Sequence, residues 1–234
     1  MRCLVLLLCF VTYFSCFIEA NIQKVNYSYL GNFKGLISVP NIPGKRPVII
    51  YSYDEFYDWA GKKLSYTAGY NLHDFAQEFT RWGYIVFIPL ERFRKVNAIR
   101  GGVDYLIEHH NVDKNNIHLI GVSEGATMSL VALQKLKDKI NTVTVIAPII
   151  INDKGYLSLN RFKYFFKKET NPILFLEAKD VGWRINAQRD VLSEIYRYFS
   201  PIYLHSYNVK KRYFWNHKFS YMNKIRQFLE DHKK

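Results

Sequence analysis

The stretch Ile117-His118-Leu119-Ile120-Gly121-Val122-Ser123-Glu124-Gly125-Ala126 decides the fold. A short apolar run leads into Ala126–Leu136, whose apolar residues recur at helical spacing, so Gly121–Gly125 stands at a strand-to-helix turn. G-x-S-x-G at such a turn has a physical reason. A serine held clear of the sheet needs a sharp, strained backbone, and glycines two residues to either side let strand and helix pass at close range. The helix N-terminus behind Ser123 favours negative charge, and the Glu124 backbone N–H is placed to donate to an oxyanion. Without this context the same residues are an ordinary βα turn with two glycines and a serine.

Outward from this turn, short apolar runs alternate with amphipathic stretches from Arg46 onward. The strand candidates are Val48–Tyr51, Tyr84–Pro89, Ile117–Gly121, Val143–Ile150, Ile173–Glu177 and Ile202–Ser206. Each is too uniformly apolar for a strand with one wet face, which predicts a mostly parallel sheet covered by helices on both sides. Between the strands, Leu72, Phe75, Ala76 and Phe79 share a helix face that Asn71 caps and Gly83 ends. Further helices are predicted over Asn97–His110, Thr127–Leu136, Asn186–Phe199 and Tyr221–Glu230. Asn21–Pro40 reads as two antiparallel strands joined around Gly31 or Gly35. Only twenty-one residues, Ile151 to Asn171, are available for a cap over the sheet. That leaves an open pocket or one roofed by short aromatic loops such as Phe162–Phe166, whose rings are read as helix packing, with lipid contact the lesser reading.

The 234 residues suit one folded unit, residues 21–234, behind a leader. Residues 1–20 begin with Met1-Arg2, continue almost wholly apolar from Cys3 to Phe17, and end at Ala20, as an exported chain's signal peptide does. The alternatives are a retained membrane anchor and lipid attachment at Cys16, the latter lacking the usual preceding aliphatic residue. Cys3, Cys9 and Cys16 are the only cysteines, so a chain cut after Ala20 has neither disulfides nor thiolate chemistry, which suits a periplasm or a secreted protein. Thirty-three Lys and Arg against twenty Asp and Glu give a net charge of +13. The basic residues are dispersed, and the densest group, Lys210-Lys211-Arg212, reads as a solvated face; peripheral attraction to anionic surfaces is expected, specific nucleic-acid binding is not.

A serine needs a base, and the base an orienting carboxylate. When the serine stands at a strand-to-helix turn the partners follow as acid and then His, on loops past later strands. Asp180 lies three residues beyond Ile173–Glu177 and is the acid candidate. His217 lies beyond Ile202–Ser206, before the last helix, and is the base candidate. His73, His109, His110, His118, His205 and His232 fall in helices, strands or the charged tail, and Asp190 falls on a helix.

The turn Gly121–Ala126, the segment Pro172–Asp180 and His217-Lys218-Phe219 resemble the α/β-hydrolase superfamily, nearest its dienelactone-hydrolase-like branch, over roughly Arg46 to Leu229. The resemblance implies a three-layer sandwich with minimal or no cap domain, a Ser123-Asp180-His217 triad, and no metal or organic cofactor. Many members carry His-Gly-Gly after the first parallel strand, where this chain has Tyr51-Ser52-Tyr53-Asp54-Glu55. Dienelactone hydrolases often have a carboxylate there, so Asp54 or Glu55 has a counterpart, while Ser123 replaces their usual Cys. The second oxyanion donor is then expected from the backbone N–H of Tyr53 or Asp54. Tyr51, Tyr57, Trp183 and Trp215, with Tyr53 and Phe56, are the expected pocket walls, although several serve equally well as packing residues. Hydrolysis of a small carboxylic ester through an acyl-enzyme is the leading expectation; the alternatives are an amidase or peptidase on the same triad, and an inactive binding protein of the same fold.

Overall fold

Alternation of apolar side chains sets the layers. In β3 (Arg46–Ser52), Val48 and Ile50 face one side of the sheet, Ile49 and Tyr51 the other, and all are buried. The computed structural model describes residues 21–151, 157–179 and 185–234; the expected leader lies outside them. The remaining strands are β1 (Ile22–Ser28), β2 (Asn32–Ser38), β4 (Ile85–Leu90), β5 (Val112–Val122), β6 (Thr142–Ile146), β7 (Ile173–Ala178) and β8 (Ile202–Tyr207). They form one sheet in the order β1-β2-β4-β3-β5-β6-β7-β8. The pairs β1–β2 and β2–β4 are antiparallel and all others parallel. The β1–β2 hairpin turns at Leu30-Gly31, both at positive φ, as expected for a junction near Gly31.

Two apolar layers flank the sheet. One packs α3 (Lys95–His109), α4 (Glu124–Leu136) and α6 (Ile185–Tyr196) through Ala98, Val103, Leu130, Leu133, Leu192 and Ile195. The other packs α2 (Leu72–Arg81) and α7 (Tyr221–Asp231) through Phe75, Phe79, Tyr221 and Ile225. Asn71 caps α2 by accepting from the His73 N–H at 3.0 Å, and Gly83, at φ 92°, follows its end. The short α5 (Leu159–Phe162) and a 3₁₀ turn over Lys163–Phe165 occupy the β6–β7 connection. Tyr164 and Phe165 point to water there, against the packing role expected of them, while Phe166 is buried.

Three features differ from the sequence expectations. The sixth strand ends at Ile146 rather than Ile150, because Ala147 takes φ 41° and its N–H turns to the Leu176 carbonyl at 2.7 Å. β8 is not covered on both faces: it is the sheet edge, with Tyr203 and Leu204 exposed. And Phe56–Thr67 forms a helix, α1, interrupted at Gly61 (φ 76°), where a pocket wall was expected. Its only fully buried residue is Ser65, so the helix lacks the apolar stripe by which a sequence announces one.

Candidate active site

The elbow is built as its sequence demands. Ser123 has φ 57° and ψ −118°, a conformation of order 1–3 kcal/mol above the ordinary regions for a residue with a side chain. Its N–H is tied to the Ile146 carbonyl at 2.9 Å, and its carbonyl accepts from Ala126 at 3.1 Å as α4 begins. A Cβ on Gly121 would lie 2.4 Å from the Gly125 carbonyl oxygen, and one on Gly125 would lie 2.2 Å from that of Ser52. Neither approach admits a methyl group, so both glycines are explained by space alone.

The Ser123 hydroxyl meets charge. Lys211 Nζ donates to its Oγ at 3.0 Å, and the same ammonium reaches Glu55 Oε1 at 3.0 Å and Asp54 Oδ2 at 3.2 Å. Glu55 Oε2 in turn accepts from the Glu124 N–H at 3.3 Å. Asp54 is wholly buried and accepts from Trp215 Nε1 at 3.0 Å and the Phe56 N–H at 2.9 Å. Burial and then the neighbouring Glu55 charge push its carboxyl up to about 6, against the pull of Lys211. Burial pushes Glu55 up as well, but the charge and hydrogen bond of Lys211, with a hydrogen bond from Ser123, outweigh it and hold Glu55 below the ordinary range. Burial alone would lower Lys211; Asp54 and Glu55 instead raise it, so it stays an ammonium.

Several expected residues are placed otherwise. His217 does not hydrogen-bond to Ser123: its ring packs edge-on against Phe75, 5.9 Å between centroids. Burial lowers its pKa, and its charged neighbours are Asp74, Glu78, Lys218 and Arg81. The five-residue 3₁₀ turn Lys211–Trp215 after β8 brings Lys211 to the serine and carries His217 on to the α2 side. The position expected for the base is thus filled by Lys211, corrected here from a solvated residue to a site residue. Asp180 and Trp183 lie outside the described residues. The Asp54 N–H donates to the Tyr70 hydroxyl at 2.9 Å, so of the two backbone donors expected for an oxyanion this one is already engaged. Tyr51 is core rather than pocket wall, its hydroxyl 3.1 Å from that of Tyr70 and its ring stacked on Phe75. Trp215, stacked on Phe56, anchors Asp54 and is likewise no open wall. Tyr57 is partly buried, edge-on to Tyr53, whose hydroxyl donates to Asp58 at 2.7 Å.

Ser123 has no exposed surface, and the two side chains its hydroxyl contacts, Glu55 and Lys211, each line a cleft. Glu55 lines a cleft of about 290 Å³ with Asp58, Trp59, Arg92, Phe93, Glu124 and Leu157. Lys211 lines a second, of about 250 Å³, with Ala147–Ile151, Glu177 and Ala178. The Glu55–Lys211 ion pair thus has one partner in each cleft. Among the described residues, no group of three or more His, Cys, Asp and Glu side chains is placed to hold a metal ion.

The sequence could have offered Lys211 through one signal. Two adjacent carboxylates directly after a central buried strand require a cation, and Lys210-Lys211-Arg212 follows a later strand at the same sheet edge.

No family model and no curated protein sequence matches the chain. Solved structures do. A thermostable esterase from Pseudomonas putida superposes with a TM-score of 0.64 at 12% identity, over 93% of this chain and 85% of that one. A hyperthermophilic esterase from the archaeon Pyrobaculum calidifontis gives 0.61 at 12%, over 90% and 84%. A thermophilic carboxylesterase cloned from a metagenomic library gives 0.60 at 10%, over 91% and 89%. At such identity the likeness defines the architecture: the chain has the α/β-hydrolase fold.

Proposed function

We propose that this protein is a serine hydrolase of carboxylic esters with Ser123 as nucleophile. The observation that carries the reading is the Ser123 hydroxyl, held on a strained strand-to-helix turn and bonded into a charged network at the carboxyl edge of a parallel sheet. Esterase activity among proteins of like fold supports the ester class, and the carboxylates following β3 support the dienelactone-hydrolase-like placement.

In this reading Oγ attacks the ester carbonyl while its proton passes to the Glu55 carboxylate. The Lys211 ammonium, held charged by its two carboxylates, supports the negative charge that develops at Oγ and at the carbonyl oxygen. The substrate oxygen takes the Glu124 N–H in place of Glu55 Oε2. Glu55 then gives the proton to the departing alkoxide; in the second half a water attacks the acyl carbonyl while passing its proton to Glu55, which returns it to Ser123 Oγ as the C–Oγ bond breaks and the acid leaves. A raised lysine is unsuited to act as the base itself, which is why that role falls to Glu55. His217, against Phe75, is outside this scheme.

A fluorophosphonate probe should label the wild-type protein and leave folded Ser123→Ala unlabelled; equal labelling of both defeats the assignment. The second reading is an inactive binding protein, favoured by the full burial of Ser123 and by the occupied Glu124 N–H. Absence of both labelling and ester cleavage by the wild type would establish it. Matched esters and anilides of one acyl group separate esterase from amidase. Export belongs to the same proposal, and N-terminal sequencing of the natively processed chain should begin at Asn21.

A further inference from the structure

The recess beside Ser123 gathers buried carboxylates within a basic molecule. The chain carries +13, yet here Asp54, Glu55, Asp58 and Glu124 face three cations, Lys211, Lys95 and the exposed Arg92 on the cleft wall. Lys211 is shared between Asp54 and Glu55, and Lys95 is paired with Asp58 at 2.5 Å. Glu124, only 7% exposed, lines the cleft and has no cation in ion-pair reach among the described residues. Its carboxylate accepts from the Leu157 backbone N–H, and burial raises its pKa.

Two rings stand at the mouth of the same cleft. Trp59 is 58% exposed and Phe93 81%, a large amount of aromatic surface to leave in water beside a nucleophile. Phe93 already carries a cation, the Arg92 guanidinium 5.0 Å from its centroid. Arg92 is itself exposed, so water and salt screen its charge from the recess. Surplus buried carboxylate behind open aromatic faces is the chemistry that retains alkylammonium groups.

We infer that this cleft is a subsite for an ammonium group on the substrate, with Trp59 as its aromatic wall and Glu124 as its counter-charge. The catalytic half of the inference rests on the reading of Ser123 as an ester-cleaving nucleophile. The binding half does not.

Acetylcholine and its uncharged isostere 3,3-dimethylbutyl acetate differ in this one property. The wild-type kcat/KM should favour the cationic ester by about tenfold, within the range of a desolvated cation–π contact reinforced by a carboxylate. Trp59→Leu, outside the reacting groups, should cut that ratio to about three or less, the cationic ester losing more than the neutral one because both lose apolar contact and only the first loses the cation–π contact. Glu124→Gln should lower the ratio as well. A wild-type ratio of one or below, or a ratio indifferent to Trp59→Leu, overturns the inference. Cleavage of neither ester counts against the catalytic reading alone. Calorimetric titration of Ser123→Ala protein with choline and with 3,3-dimethylbutan-1-ol then decides: tighter binding of choline, weakened by Trp59→Leu, sustains the subsite, and equal or absent binding removes it.

Discussion

Replacing Lys211 by Met removes an ammonium from two carboxylates while keeping most of the side-chain length, and the structure fixes how the cost varies with pH. Asp54 is wholly buried, and its carboxyl moves from 3.8 to about 6 on folding. That difference corresponds to about 3 kcal/mol carried by the folded state once Asp54 is ionised. The sign follows from proton uptake: a carboxyl whose pKa is raised on folding adds stability below its unfolded pKa and loses it as pH rises through about 6. In wild type Lys211 limits this loss. Breaking a fully buried pair costs about 3–5 kcal/mol; because the Lys211 side chain is 37% exposed, solvent reduces that to about 2 kcal/mol at pH 8. At pH 5 Asp54 is mostly protonated in both proteins and the deficit should fall to about 1 kcal/mol or less, leaving mainly the lost Glu55 contact. Urea unfolding of wild type, Lys211→Met and the charge-retaining Lys211→Arg at both pH values measures this, with the arginine variant expected near wild type. A deficit that stays constant from pH 8 to pH 5, or grows toward acid, refutes the assignment of Lys211 as counter-ion to Asp54.

Gly125→Ala places a Cβ 2.2 Å from the Ser52 carbonyl oxygen and 2.6 Å from that of Tyr53. Both are backbone atoms that cannot swing aside, so a loss of about 3 kcal/mol in chemical denaturation and loss of esterase activity are expected. Trp215→Phe keeps much of the stack on Phe56 but deprives Asp54 of its 3.0 Å donor, which should cost about 1.5–3 kcal/mol at pH 8 and less at pH 5. Glu55→Gln should lower kcat by about 10²–10⁴, as expected for loss of a proton acceptor, whereas His217→Gln should leave it within about threefold. A His217→Gln loss as large as that of Glu55→Gln would restore the histidine triad and remove Glu55 from its role.

The layers and the elbow were legible because they rest on local rules. A strand buried on both faces must be apolar at every position, and a turn as tight as Gly121–Gly125 must lack side chains at its two ends, so composition and spacing alone mark them. α1 was not legible, since a helix with Trp59 and Leu64 in water and only Ser65 fully buried leaves no periodic trace. His217 was misread for a related reason. Chain order restricts a base to the loop after β8, but Lys211 and His217 are six residues apart on that same loop, and only the 3₁₀ turn between them determines which faces the serine. Its direction is set by Trp215, buried against Phe56 and Tyr70 far away in sequence, with Phe214 buried beside it on Tyr221.

That dependence gives the site a causal order. Trp215 enters the core beside Tyr70 and Phe56, and its indole N–H is thereby presented to Asp54. Asp54, fixed without exposure, demands a cation, and the turn that buries Trp215 begins at Lys211. An ammonium answering Asp54 and Glu55 at 3.2 and 3.0 Å has its third contact 3.0 Å away at Ser123 Oγ. Aromatic packing on the α2 side of the sheet therefore settles the polarity around the hydroxyl at its edge. Substitutions at Phe56 or Tyr70, which do not touch Ser123, should alter its chemistry through Asp54, and changes on the α3 side of equal cost to stability should not.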